Sequence, residues 1–85
     1  MIKTTPATLA LDAARRAIGE LRDAAGTLSR SLTHLALALD DGDQEAASRH
    51  WQHVEVAGVV YDQAVTRFET ARDRLWTAHI MEAQP

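Results

Sequence analysis

Between Pro6 and Leu39 no proline interrupts the chain, and apolar residues recur at alternating steps of three and four: Leu11, Ala14, Ile18, Leu21, Ala25, Leu28, Leu32, Leu35 and Leu39. A mean spacing of 3.5 held over such a length is a heptad stripe, and an α-helix is the structure that lays those positions along one face. A second stripe follows the same rule through Ala47, Trp51, Val54, Gly58, Tyr61, Val65 and Phe68, is interrupted at Arg72, and resumes at Leu75. Two long amphipathic helices are the strongest constraint on the fold.

The ends of the stripes carry matching signals. Thr5-Pro6 combines a capping hydroxyl with a proline suited to the first helical position. Asp40-Asp41-Gly42-Asp43 is the one clear break. Acidic residues are unfavourable at a helix C-terminus, glycine adopts the left-handed closing conformation, and an aspartate caps the following helix. The chain is therefore predicted to be all-α: a helix over about 6–40, a turn at 40–43 and a helix over about 44–80. The 85 residues form a single helical-hairpin domain, with 1–5 and 82–85 expected to fray. The run Val54 to Tyr61 is β-branched enough to suit a strand, but the unbroken register on both sides favours helix.

Folding the chain back about Gly42 places Leu32 opposite Trp51, Leu28 opposite Val54, Leu21 opposite Tyr61, Ile18 opposite Val65 and Ala14 opposite Phe68. Large residues then meet smaller ones, as interdigitating layers require. In this arrangement the hairpin seam comprises Leu11, Ile18, Leu21, Ala25, Leu28, Leu32, Leu35, Trp51, Val54, Gly58, Tyr61, Val65 and Phe68, with Ala25 and Gly58 forming a narrow waist. Arg72 and His79 fall at seam positions, and Arg72 is expected to reach Asp12 as an end-layer ion pair.

A third column flanks each stripe: Ala10, Ala17, Ala24, Ser31 and Ala38 in the first helix, and Ala57, Ala64, Ala71 and Ala78 in the second. It widens the apolar arc beyond what one partner helix covers. A homodimer, in which two hairpins make a four-helix bundle, would bury the remainder; another helical protein is the competing partner. Outside the stripes, Val56, Val59, Val60, Trp76, Ile80 and Met81 form outward apolar groups on the second helix. Gly19 and Gly26 lie seven apart on an outward column of the first, where a groove for a crossing helix would explain them. These eight positions are the candidate oligomer or partner surface, with Trp76 and Ile80 the best external anchors.

Nine basic and twelve acidic residues give a net charge of −3, without a basic run, so the electrostatic footprint of a nucleic-acid binder is missing. The chain has no cysteine, no signal-peptide pattern and no apolar run near the roughly 20 residues that cross a bilayer, which makes the cytoplasm the simplest expected address. Catalysis requires a nucleophile with a base, paired carboxylates in a cleft, or a metal. No glycine-rich phosphate loop or nucleophile elbow is present, and neither an enzyme nor a cofactor is expected. His50 and His53, one turn apart, with His34 across the turn, are weak metal candidates, since a structural zinc site takes four ligands.

The leading functional expectation is a non-catalytic interaction protein: an adaptor, small regulator or inhibitor. In topology alone the hairpin resembles the Rop-type RNA-binding hairpins, which would imply a dimeric RNA- or DNA-binding regulator. Arg15, Arg22 and Arg30 offer a basic stripe for that role, and Asp12, Glu20 and Asp23 dilute it. The size is similar to that of the secreted WXG100 hairpins, whose turn carries Trp-x-Gly. Here the turn is Asp40-Asp41-Gly42-Asp43 and Trp51 is followed by Gln52-His53, so that motif is absent.

Overall fold

Thr5 starts the first helix by the chemistry its sequence offers: its backbone is extended, and its hydroxyl oxygen accepts from the Thr8 amide at 3.1 Å, with Pro6 following. The computed structural model describes residues 5–83, which form α1 (Pro6–Asp40) and α2 (Gln44–Ala83). The helices, of 35 and 40 residues, run antiparallel and in contact as an elongated hairpin with extents of 64 × 24 × 15 Å. The second helix continues three residues beyond the expected end at Ile80. Of the termini expected to fray, 1–4 and 84–85 lie outside the described residues.

The turn closes as a Schellman motif. The Asp43 amide donates to the Ala38 carbonyl at 3.0 Å and the Gly42 amide to the Leu39 carbonyl at 3.1 Å, so two carbonyls that end α1 are satisfied. Gly42 has a φ of 70°, the left-handed conformation that this geometry needs and that side chains with a Cβ resist. The Asp43 carboxylate then accepts from the Ala46 amide at 3.0 Å and caps α2, where Glu45 adds a favourable negative charge. The β-branched segment around Val54–Tyr61 is helical throughout. Ala57 is buried and Val54 and Tyr61 are half-buried in the hairpin, and tertiary burial of this kind overrides local strand preference.

Which column lies between the helices differs from the sequence expectation. The buried residues are Ala10, Ala14, Ala17, Ala24, Leu35 and Ala38 on α1 and Ala57, Ala64, Ala71 and Ala78 on α2. Leu21, Leu28 and Ser31 are half-buried beside them, as are Ala47, His50, Val54, Tyr61, Phe68 and Leu75. Each helix is thus turned by one column. The alanines expected to flank the seam form its centre, and Leu11, Ile18, Ala25, Leu32 and Trp51, expected within it, are exposed. Leu21, Leu28, Leu35, Val54, Tyr61 and Phe68 belong to both arrangements, because they stand on the column the two share. Small side chains let two helices approach along their whole length, whereas leucines facing leucines hold them apart.

The narrow waist at Gly58 is not formed: a Cβ placed there would meet nothing within 4 Å. Arg72 does not reach Asp12. It sits exposed outside the seam, with its guanidinium 3.2 Å from the carboxylate of its neighbour Asp73. Past Phe68 the seam continues through Ala71 and Ala78 on the alanine column and Leu75 on the shared one. Residues Ala14, Ala17 and Ala71 make a buried cluster against which Phe68 and Leu75 pack.

Candidate functional site

An α-helix offers about a third of its circumference to one partner, and each apolar arc here is wider than that. The excess emerges on one side of the hairpin. Next to the half-buried Leu21, Leu28, Tyr61 and Phe68, the column of Leu11, Ile18, Leu32 and Leu39 is open on α1 and Trp51 is open on α2, with Gly58 and Val65 half-covered. Ile18 is 44% exposed, Leu32 48%, Trp51 54% and Leu39 63%. Near the turn, Leu35, Leu39, Ala47 and Trp51 line a shallow groove on this face. The Trp51 indole Nε1–H donates to Glu55 Oε1 at 2.7 Å, one turn along the same helix.

The opposite side of the hairpin is mixed. Glu20, Asp23, Thr27, His53 and Arg67 line an open groove together with Val56 and Val60, floored by Ala24, Ala57 and Ala64. Arg67 Nε donates to Glu20 Oε2 at 2.8 Å across this side and joins the two helices. A further groove at the open end of the hairpin is lined by Leu9, Ala10, Ala13, Thr77, Ala78 and Met81 among others.

The outward apolar residues expected to act together are dispersed around α2. Val56, Val60 and Met81 border the mixed side, while Val59 and Ile80 share a column on the back of the helix. Trp76, 64% exposed, lies over His79 with ring centroids 6.2 Å apart and belongs to the flank of the apolar face. Gly19 is half-buried with nothing within 4 Å of a Cβ built on it, and at Gly26 the nearest atom would be the flexible tip of Arg30 at 3.6 Å. Neither glycine is required by a close approach within the hairpin.

The histidines do come together. The rings of His34 and His50 are 5.4 Å apart and those of His50 and His53 are 5.8 Å apart. His50 occupies the alanine column seven residues before Ala57, and its Nδ1 is buried without a hydrogen-bond partner. Among the described residues, no three His, Cys, Asp or Glu side chains are arranged to hold a metal ion. Among the same residues, no helix is long and apolar enough to cross a membrane.

Two features of the site are carried by the sequence itself. The alanine columns carry no Asp, Glu, Lys or Arg along either helix, whereas the Trp51 column breaks at Arg72. Charge is also sorted along the rim of the apolar face: four residues beyond Leu11 and Ile18 stand Arg15 and Arg22, and four beyond Trp51, Gly58 and Val65 stand Glu55, Asp62 and Glu69. Comparison of the chain with protein-family models, with curated proteins and with solved structures finds no match.

Proposed function

We propose that this protein acts through a surface rather than a pocket, as a non-catalytic helical adaptor, regulator or inhibitor that self-associates into a four-helix bundle. One observation carries the reading. Among the described residues, the buried apolar side chains are nine alanines and Leu35, and no large side chain is fully buried, while leucines, an isoleucine and a tryptophan stand open on one face. Each alanine methyl contributes only about 0.8 kcal/mol on burial, so an alanine seam stabilises weakly against the chain entropy of two long helices. Covering the apolar face with a second hairpin supplies the missing core, and two-fold pairing is the commonest way to do so.

The test is absolute mass by light scattering across a dilution series, on the wild type, on Ile18→Asp and on Trp76→Ala. A dimer for wild type and Trp76→Ala, with Ile18→Asp shifted to monomer, supports the bundle and leaves Trp76 available to another protein. A folded wild-type monomer at high concentration defeats self-association.

A further inference from the structure

The sorted rim charges determine how a second copy would sit, an inference that rests on the self-association proposed above. On α1 the rim of the apolar face is basic, at Arg15 and Arg22; on α2 it is acidic, at Glu55, Asp62 and Glu69, and all five side chains are exposed. Among the described residues, Arg15, Arg22, Asp62 and Glu69 make no ion pair within the hairpin. Two hairpins stacked face to face by a two-fold axis have two choices. If the axis lies across the bundle, the turns are at opposite ends and α1 packs on the partner's α1. Basic rim then meets basic rim and acidic rim meets acidic rim along the whole contact. If the axis runs along the bundle, the turns are at the same end and α1 packs on the partner's α2, so each rim meets its opposite.

Levels along the bundle fit the second choice. The Glu20–Arg67 pair shows which residues of α1 and α2 share a height. By that register Arg22 is level with Val65, between Asp62 and Glu69, and Arg15 is about one turn from Glu69. An axis along the bundle preserves heights, so Arg22 comes within a turn, about 5 Å of axial distance, of the partner's Asp62 and the partner's Glu69. Arginine side chains span that interval. We propose that the chain forms a dimer with both Asp40–Asp43 turns at one end, α1 of each copy lying on α2 of the other and the rim charges selecting this orientation over its reverse. Among the described residues of the face, Arg72 is the one discordant charge, and its guanidinium lies 3.2 Å from the Asp73 carboxylate. In this dimer Arg15 and Arg22 are occupied by the partner's carboxylates, which removes the strongest part of the basic stripe that nucleic-acid binding would need.

Because the chain has no cysteine, Asp41→Cys supplies a single labelling point at the exposed turn. Spin labels there are expected within about 30 Å of each other in the dimer, the scale of two helix diameters plus linkers. A separation on the order of 50 Å, the length of a 35-residue helix, places the turns at opposite ends and overturns the orientation while leaving the dimer intact. The charge arm is independent. Arg15→Glu with Arg22→Glu is expected to weaken the dimer at least tenfold, and adding Asp62→Arg with Glu69→Arg is expected to restore it. An unchanged dissociation constant in the first variant, or no recovery in the second while helicity is retained, overturns the proposal. A labelled chain that stays monomeric at all concentrations defeats the self-association itself.

Discussion

Ala17 and Ala71, from opposite helices, meet in the same buried cluster, while Ile18, one residue along α1 from Ala17, is 44% exposed. The hairpin is held at its centre by methyl groups, and its larger apolar side chains are left on a face. This relation makes the energetic roles of the two columns separable. Enlarging the alanine column should damage the hairpin at every protein concentration, because no space is left between closely approaching helices. Ala64→Leu, at a site only 1% exposed, is expected to cost about 1–3 kcal/mol, read by urea denaturation as a lowered midpoint. Loss of less than about 0.5 kcal/mol would mean that the helices part easily there and that the alanine column is not the determinant of their spacing.

Gly42 and Asp43 are expected to be the costliest positions of the turn. Gly42→Ala forces a Cβ into the left-handed conformation, for which about 1–2 kcal/mol is the usual penalty. Asp43→Ala removes the cap on the Ala46 amide at about 1 kcal/mol. Thermal melts of both variants at equal concentration would show lowered transitions, and a Gly42→Ala protein as stable as wild type would contradict the closing geometry.

The Glu20–Arg67 ion pair should matter far less than its length suggests. Both side chains are about half exposed, so water and salt screen them, and such pairs are worth on the order of 0–1 kcal/mol. Glu20→Gln is expected to lower stability by no more than that, with the difference vanishing in 1 M salt. A larger, salt-insensitive loss would place the pair in a drier environment than the open hairpin provides.

His50 is expected to be a position where alanine is more stable than the natural residue. It interrupts the alanine column with a ring whose Nδ1 is buried and unpaired, and a buried unsatisfied polar atom costs roughly 1–3 kcal/mol. His50→Ala is expected to raise the denaturation midpoint by the equivalent of about 1 kcal/mol. If it lowers stability instead, the packing of His34 and His53 around the ring outweighs the orphaned nitrogen.

Gly19→Ala should also stabilise, by about 1 kcal/mol, since an added methyl meets nothing within 4 Å and helix propensity alone decides the sign. A decrease in stability or in apparent mass would show that another chain approaches α1 at Gly19.

The local elements were legible because their causes are local. Thr5, Pro6, Gly42 and Asp43 each satisfy or close backbone groups within a few residues, so helix limits follow from chemistry carried on the spot. The 3.5-residue period likewise identifies an amphipathic helix wherever it is sustained. The face that packs against the other helix was not legible in that way. Ala17, Ile18 and Leu21 stand on three adjacent columns, all apolar, and a rotation by one column preserves the pattern while exchanging Ile18 for Ala17 at the contact. Reading the largest side chains as the seam placed Trp51 and Leu32 inside and paired Arg72 with Asp12, and both placements fail for the same reason.

By itself, the sequence determined that this protein is two long helices joined at Asp40–Asp43 and that each carries more apolar surface than one partner helix covers. Only the tertiary structure decided that the alanines lie between the helices and that Leu11, Ile18, Leu32 and Trp51 face outward. The physical reason is that helix periodicity specifies angles around one axis, whereas the choice of seam depends on how closely two axes approach. That distance is a property of side-chain volumes summed across both helices, and small residues aligned every seven positions on each of them make the closest fit.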